Sequence, residues 1–236
     1  MKEKELMENQ ICTNNYLLIK IVDPAKETLS GIVIAEQYQE KPRWGWVLDV
    51  GEGLADLNGV VHKPPFEVGD LVYFMKHAPE KMDYSDIGLG VLHFISEGDV
   101  FSKIKVATLD DGSKQLGELI PIGNYINILP LEDKVKTKTA GGIYLPDQVI
   151  ERPSIAKVLA VGPGQRTASG FHAPVVRPGQ IIRYRAMAAQ TVKFDDLGVN
   201  RPPATIIPYG DVLAIETENL EQILKDRLNS IEGVLK

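Results

Sequence analysis

The sequence predicts an all-β protein in which two copies of one small domain are followed by a single α-helix. Three observations predict this fold. Blocks of sequence recur about 110 positions apart, short β-branched and aromatic runs alternate with Gly, Pro, Asn and Asp, and the C-terminal stretch has apolar residues at helical spacing. A chain of 236 residues is long enough for two domains that each bury a core.

The repeat is clearest between SGIVIAEQYQEKPRWGWVLDVGEG, which begins at Ser30, and GGIYLPDQVIERPSIAKVLAVGPG, which begins at Gly141. Downstream, FEVGDLVYF matches VRPGQIIRY and EGDVFSKI matches YGDVLAIE, while upstream NNYLLIKIV matches GNYINILPL. Blocks that match in the same order along the chain are not a chance event. The chain is therefore interpreted as a tandem repeat.

Each copy is predicted to consist mainly of short strands. They are YLLIKIV, WGWVLDV, DLVYFM and VLHFI in the first copy, and YINILPL, AKVLAV, QIIRYR and TIIPY in the second. Strands at this spacing are typical of a small barrel or sandwich. We therefore predict an arm over 1–10, a first domain over 11–103, a connector over 104–121, a second domain over 122–217 and a helix over 218–236.

The connector and the helix rest on local signals. Residues 104–121 contain a turn at Asp110, Asp111 and Gly112 and no sustained periodicity. In the last segment apolar residues recur at steps of three and four, and Asn219 with Gln222 form a possible capping box. The periodic residues are Leu220, Ile223, Leu224, Leu228, Ile231 and Leu235.

Composition excludes several classes of function. A formal net charge of -6 argues against nucleic acid as a partner, because Lys and Arg dominate phosphate binding. Cys12 is the single cysteine, which excludes an intrachain disulfide and fits a reducing compartment. The charged start lacks the apolar run of a signal peptide, and no stretch approaches the roughly 20 apolar residues of a membrane span. We expect a cytoplasmic protein without a membrane partner.

No residue pattern predicts catalysis or a metal site. The residues His62, His77, His93 and His172 show no ligand spacing, and no nucleophile, base and oxyanion site can be assembled. Trp44 and Trp46 are two apart, so they share one face of a strand, which favours packing or a subunit contact over base stacking. We therefore expect neither enzymatic activity nor a cofactor.

The order KTKTAGGIYLPD, ERPSIAKVLAVGPG, VRPGQIIRYR and YGDVLAIE resembles the GroES-type co-chaperonin family over nearly all of 122–217. Residues 11–103 resemble the same family more loosely. The resemblance implies small β-barrels whose mobile loops insert an apolar triplet into a GroEL-type chaperonin, which itself binds and hydrolyses ATP. It also implies roof hairpins, within GQRTASGFHAPVV and GLADLNGVVHKPP.

By position, the resemblance assigns partner binding to two short stretches. They are Gly141, Gly142, Ile143, Tyr144 and Leu145 in the second copy, and Gly31, Ile32, Val33 and Ile34 in the first. From the local sequence alone, an apolar triplet after Gly is more often the start of a strand. Burial of each apolar side chain can contribute roughly 1.5–3 kcal/mol, which ordering of the loop largely offsets.

The sequence leaves two functional classes open. The first is a co-chaperonin that assists protein folding, for which a large phage is one candidate source. The second is a structural protein of a virion capsid, neck or tail that reuses the fold. An enzyme is a distant third. In either of the first two classes we expect a ring or lattice, because Trp44, Trp46 and Phe101 are poorly hidden in an isolated small barrel.

Overall fold

The computed structural model describes residues 11–22, 43–108, 114–131, 154–167 and 170–217, with the single residues Ile223, Lys225 and Arg227. Apart from these last three residues, regular structure here consists of antiparallel strands and short 3₁₀ turns, as the sequence predicted. Within the same residues, no helix has the length and apolar character needed to cross a membrane.

The first unit, residues 11–121, forms one seven-stranded sheet and a separate hairpin. The sheet order is β6-β7-β1-β2-β5-β8-β9, and β3 pairs with β4. The strands are β1 (Tyr16–Ile21), β2 (Trp44–Val50), β3 (Leu54–Ala55), β4 (Val61–His62), β5 (Leu71–Phe74), β6 (Glu80–Tyr84), β7 (Gly90–Ser96), β8 (Val100–Thr108) and β9 (Lys114–Pro121).

The second unit, residues 122–217, repeats this arrangement with six strands in its sheet. The order is β15-β16-β10-β11-β14-β17, and β12 pairs with β13. The strands are β10 (Tyr125–Leu131), β11 (Ser154–Val161), β12 (Gln165–Thr167), β13 (Gly170–His172), β14 (Ile181–Tyr184), β15 (Gln190–Val192), β16 (Ala204–Pro208) and β17 (Val212–Ile215). Every described strand of the second unit has a counterpart at the same place in the first, so the predicted repeat is confirmed.

Irregularities of the backbone also recur in both units. The register of the first strand shifts between Leu18 and Ile19 in the first unit and between Asn127 and Ile128 in the second. Both copies also shift between the last two residues of β5 and β14. A bulge bends a strand at a fixed place, so its recurrence indicates that both units curve alike.

Two parts of the predicted architecture are not established by the described strands. Neither sheet closes on itself through hydrogen bonds among these residues, so the closed barrel stays a prediction. Of the predicted helix over 218–236, the structure describes Ile223, Lys225 and Arg227, which are helical. The predicted arm over 1–10 lies outside the described residues.

The segment 104–121 is more regular than the sequence indicated. The sequence predicts a connector without sustained periodicity, but most of this segment belongs to β8 and β9, which pair as an antiparallel hairpin. The strand pattern is hard to detect because the register shifts between Ile104 and Val106, so the alternation of buried residues is interrupted. The hairpin extends the first sheet by one strand that has no counterpart among the described strands of the second sheet.

Each unit has its own apolar core, and β5 lies at the boundary between the first unit and the second. All four residues of β5 are buried. Val72 and Phe74 point into the core of the first unit, whereas Leu71 and Tyr73 belong to a second cluster. Side chains alternate between the two faces of a strand, so β5 is covered on both faces and the second cover comes from the other unit.

The second cluster joins the two units, and we call it the inter-unit cluster. Its buried members are Trp44, Leu71, Tyr73, Phe101, Ile104 and Leu119 from the first unit and Val192, Phe194 and Ile206 from the second. Hydrogen bonds at the edge of this cluster also join the two units. Trp44 Nε1 donates to Lys193 O at 3.0 Å. Arg201 Nη1 donates to Gly117 O at 2.7 Å.

This cluster corrects one expectation from the sequence. Trp44 and Phe101 were expected to require cover from another chain, but they are 0% and 2% exposed within this chain. Trp46 is partly buried against the same cluster. The second unit of the same chain therefore provides this cover, in place of a neighbouring subunit.

Cys12 provides a test of the packing on the face of β1 that carries Leu18. It is buried beside Leu18 and Leu92, and its N–H donates to Asp49 Oδ2 at 2.6 Å. Burial, and then the charge of Asp49, raises the pKa of the thiol from 9.0 to about 12. We expect iodoacetamide at about pH 8 to modify the folded protein at least about a hundredfold more slowly than the urea-unfolded chain, because the thiolate is the reactive form.

The same shift has a consequence for stability. The pKa of Cys12 is higher in the folded state than in the unfolded state. Its contribution to the free energy of unfolding is therefore fully present below pH 9.0 and is lost as pH rises toward about 12. Equal alkylation rates in the folded and unfolded states would contradict the burial of this thiol.

Candidate functional site

The residues that the sequence assigns to partner binding lie outside the described residues, in the segments 23–42 and 132–153. The structure describes the strands from which each segment departs and to which it returns. The described strands fix only where each segment leaves its sheet and where it re-enters. We call these points of exit and return the bases of the two segments.

The base of segment 23–42 is closed by β1 and β2. Ile21 pairs with Gly45, and Val22 N donates to Trp44 O at 2.9 Å. A Cβ on Gly45 would meet the Ile19 side chain at 3.0 Å, so the absence of a side chain allows close packing at this point. The two ends of the segment are therefore neighbours in one sheet.

Arg43, the first residue after this segment, links the base to the second unit. Its Nε donates to Phe74 O at 3.2 Å and its Nη2 to Gln190 Oε1 at 2.9 Å. The guanidinium carbon lies 4.5 Å from the centroid of the Tyr73 ring, a distance at which cation–π attraction operates. The first base is thus held by both units.

The base of segment 132–153 has the same strand pairing and a different surface. Leu131 pairs with Ile155 across β10 and β11. On the neighbouring strand β14, Arg183 forms an ion pair with Glu216. We call the strand-by-strand alignment of the two units the repeat register. In this register Ile155 and Arg183 occupy the places of Trp44 and Tyr73. The second base therefore has a charged pair where the first has part of the inter-unit cluster.

The two hairpins that the sequence marked as roof elements are present as β3–β4 and β12–β13. Each begins after a glycine at positive φ, Gly53 at 104° and Gly164 at 117°. A Cβ at Gly53 would lie 2.0 Å from His62 O, and one at Gly164 would lie 2.4 Å from His172 O. Glycine is required at both points because the backbone passes too close for any side chain.

A cleft of about 610 Å³ lies between the units near the bases of these hairpins, and we call it the inter-unit cleft. Both hairpins line it, through Leu54 and His62 of the first and Phe171 of the second. Glu97 and Tyr125 also line it. Burial raises the pKa of the Glu97 carboxyl, and burial followed by the charge of Asp99 raises the pKa of Tyr125.

The structure describes all four histidines, His62, His77, His93 and His172. In the part of the chain that the structure describes, no group of three or more His, Cys, Asp or Glu could hold a metal ion. His93 lies in β7, where burial and then Lys81 lower its pKa. His62 Nε2 lies 3.0 Å from Asp56 Oδ2 within the first hairpin.

Sequence reasoning did not find the inter-unit cleft or the link through Arg43. The cleft combines residues far apart in the chain, and Glu97 belongs to a block that was notable only as a repeat landmark. The signal that could have indicated Arg43 is the asymmetry of the repeat, because the residue in its place in the second unit is Ser154.

Comparison with known proteins agrees with this geometry. The sequence model of the family "Chaperonin 10 Kd subunit" matches the chain twice, at residues 11–104 and 118–216. A 20 kDa chloroplastic chaperonin of Arabidopsis thaliana is 29% identical over 185 residues, which cover 76% of this chain and 66% of that protein.

Bacterial relatives match a single unit. The co-chaperonin GroES of Acinetobacter baumannii (strain ATCC 17978) is 41% identical over 96 residues, which cover 38% of this chain and 95% of that protein. The co-chaperonin GroES of Lawsonia intracellularis is 37% identical over 100 residues, covering 39% and 94%. With two family matches on two units of one topology, the chain belongs to the chaperonin 10 kDa subunit family and contains two copies of its domain.

Proposed function

We propose that this protein is a co-chaperonin that caps a GroEL-type chaperonin through its two apolar triplets and assists protein folding. The observation that carries the proposal is that both triplet segments leave and re-enter their sheets at paired antiparallel strands, in two units of one topology. Membership of the family and the names of the relatives support it. The partner binds and hydrolyses ATP, so this chain needs neither a cofactor nor catalytic groups, and it acts in the cytoplasm.

The proposal includes a finer architecture. Residues 11–103 and 122–217 are GroES-like β-barrels, the arm 1–10 precedes them and the helix 218–236 follows. Within the two triplet segments, Gly31, Gly141 and Gly142 provide backbone freedom before the apolar residues. The hairpins β3–β4 and β12–β13 contribute to the roof over the folding chamber.

The energetics of the triplets suit a cap that must detach. Three apolar side chains gain roughly 1.5–3 kcal/mol each on burial, while ordering each backbone residue costs about 1–2 kcal/mol. One segment therefore binds weakly. Several segments on one assembly bind strongly through effective concentration, and they release together when the partner changes shape.

The test is the double substitution Ile143→Ser and Leu145→Ser. We expect a loss of about 2 kcal/mol or more per segment, multiplied across the assembly, so nucleotide-dependent capture by a GroEL-type chaperonin should collapse. Circular dichroism should show unchanged strand content. The corresponding pair Ile32→Ser and Ile34→Ser should have a smaller effect, since the first copy matches the family less closely.

A matched control replaces two exposed valines outside the triplets. Val68 and Val175 are 68% and 70% exposed, and the double change Val68→Ser with Val175→Ser should leave capture unchanged. If the wild type is not captured by the chaperonin of its source cell in any nucleotide state, the co-chaperonin function is wrong. The structural class then leads, and the triplet variant should instead loosen particle assembly.

We also propose that chains assemble head to tail into a ring. The units contact each other through different surfaces, β2, β5 and β8 of the first against the β15–β16 region of the second. Among the described residues, each chain therefore retains one copy of each surface without a partner: the first kind of surface on the second unit and the second kind on the first unit. A contact between unlike surfaces generates a ring when its rotation closes.

Exposed apolar residues mark both unused surfaces. Leu213, which is 49% exposed, occupies the place of Phe101 in the repeat register. Met82, which is 46% exposed, occupies the place of Val192. The counterparts Phe101 and Val192 are buried in the contact within the chain. The exposure of Leu213 and Met82 therefore supports a second, similar contact between chains.

We expect Leu213→Asp and Met82→Asp each to shift the assembly toward single chains at micromolar concentration, because each inserts a charge where the equivalent contact is apolar. Sedimentation velocity or native mass spectrometry measures this shift. Val68→Asp, at an exposed position on neither surface, is the control. A wild-type protein that sediments as a monomer would exclude the ring, and two variants with wild-type assembly would exclude this interface.

A further inference from the structure

The inter-unit cleft has the properties of a small ligand site. Its volume of about 610 Å³ falls within the range of roughly 300–1,000 Å³ that such sites occupy, and clefts between domains are a common location for them. Two of its lining residues, Glu97 and Tyr125, have shifted pKa values. Shifted groups collected in a concave site indicate a functional site more often than a random surface does.

Glu97 is the group that defines the chemistry of the cleft. It begins a 3₁₀ turn, Glu97–Asp99, and its N–H donates to Asn15 O at 2.9 Å, so its backbone is fixed. Burial alone accounts for the raised pKa of its carboxyl, and among the described residues no donor or cation pairs with that carboxylate. A partly desolvated carboxylate without a donor is unfavourable, and a ligand that supplies a charged donor removes this cost.

The surroundings of Glu97 favour a positive ligand over a neutral one. Asp99 is close enough to raise the pKa of Tyr125, so a second negative charge acts on the same cleft. Among the described residues that line the cleft, Lys63 is the cation on the rim. Lys63 is exposed, and its charge is not among the causes of the raised pKa of Glu97. The cleft therefore keeps a negative interior beside a solvated lysine.

Apolar groups in the cleft can hold the body of such a ligand. Val100, Ile122 and Phe171 line it together with the Tyr125 ring. The Tyr125 ring is fixed by an edge contact with Phe101, with centroids 4.8 Å apart. Burial of an aliphatic stem against these residues lowers the free energy of binding. The face of an aromatic ring also attracts a cation.

We propose that the inter-unit cleft binds an alkylammonium or guanidinium group on an apolar stem, with Glu97 as its counter-ion. The ligand is either a free aliphatic amine or the side chain of a Lys or Arg in a polypeptide. The second unit has no equivalent group, because Tyr209 stands at the place of Glu97 and its hydroxyl accepts from Val175 N at 3.4 Å. One site per chain follows. The site does not depend on the chaperonin contact.

The experiment titrates the full chain with pentylamine, pentanol and the capped peptide acetyl-Ala-Lys-Ala-amide, using calorimetry and amide chemical shifts. We expect pentylamine and the peptide to bind at one site per chain and to shift the amides of Val100 and Phe171, while pentanol binds at least tenfold more weakly. Glu97→Gln should weaken amine binding by about tenfold or more, since a charge-assisted bond becomes a neutral one.

Two control variants separate the site from a general charge effect. Glu67→Gln removes an exposed carboxylate outside the cleft and should leave amine affinity unchanged. Lys63→Gln removes the rim cation and should maintain or increase affinity. Tighter binding of the peptide than of pentylamine identifies a polypeptide as the source of the cation, and the reverse order identifies a free amine.

Stability provides a readout that distinguishes binding from a structural role. Because burial raises the folded-state pKa of Glu97, its ionised form destabilises the folded protein at neutral pH. Glu97→Gln should therefore maintain or raise the melting temperature while it loses amine binding. Equal binding of pentylamine and pentanol, no binding of either cation, or wild-type amine affinity in Glu97→Gln would each overturn the proposal.

Discussion

Trp44→Ala is expected to lower the free energy of unfolding by about 3–5 kcal/mol, the usual cost of removing a fully buried large side chain. Trp44 is 0% exposed. Its ring lies 4.9 Å from that of Tyr73 and 5.7 Å from that of Phe194, measured between centroids. The substitution also leaves Lys193 O without its indole donor. Urea denaturation followed by circular dichroism measures the loss.

The repeat provides a matched control for this change. Ile155 occupies the place of Trp44 in the second unit, and its side chain is half-buried rather than enclosed. Ile155→Ala should therefore cost clearly less in a preparation of single chains. If the two substitutions have equal effects there, the inter-unit cluster does not hold the units together. Separate unfolding transitions for the two units in Trp44→Ala would show that this cluster couples them.

The repeat and most strands could be predicted because their signals are local. Glycines that allow a close approach or a positive φ, such as Gly53 and Gly164, must recur wherever the same turn recurs. Strands such as β10 and β11 carry β-branched residues that face a core, so they appear in the sequence as apolar runs. Both signals survive divergence between the copies.

Two of the strands that sequence reasoning missed, β6 and β9, lack a clear signal of this kind. β6, with the sequence EKMDY, is largely exposed, and it pairs with β7 at the edge of the sheet that the described strands form. An outer strand is specified by backbone hydrogen bonds and charged side chains that discourage further pairing, not by burial. β9 was missed for a related reason, since its partner β8 is interrupted by a register shift.

The candidate sites differ in how far the sequence could predict them. The triplets were assigned from a family resemblance carried by contiguous motifs, and they stay predictions because they lie outside the described residues. The inter-unit cleft depends on the docking of two units, so residues such as Glu97 and Phe171 meet only in three dimensions. The docking surface was visible in part, since Trp44 and Trp46 indicated a packed face, although not which partner covers it.

The buried ion pair between Lys103 and Asp70 should be the most sensitive polar contact in the first unit. Lys103 Nζ lies 2.8 Å from Asp70 Oδ2 and donates to Pro65 O at 2.6 Å. The side chains are 10% and 4% exposed. Removing one partner leaves a buried charge, so Lys103→Ile should lower the free energy of unfolding by about 3–5 kcal/mol. The exposed pair Lys105–Glu67 is the control, and its loss should have little effect.

The second unit indicates how this loss can be repaired. In the repeat register Ile215 stands at the place of Lys103 and Gln180 at the place of Asp70. Gln180 Oε1 accepts from Arg177 N at 2.7 Å, just as Asp70 Oδ2 accepts from Glu67 N at 3.0 Å. Glutamine therefore retains the bond that closes the turn and carries no charge.

The double variant Lys103→Ile with Asp70→Gln should thus recover most of the stability that Lys103→Ile alone loses. Replacing a buried ion pair by an uncharged set is often neutral, whereas an orphaned carboxylate is costly. A double-mutant cycle in urea measures the coupling between the two positions. If the double variant is as unstable as the single one, the cost lies in the lost packing of the lysine stem and its bond to Pro65. Recovery instead shows that the orphaned charge of Asp70 causes the loss, and that the two units use interchangeable solutions at one position of the fold.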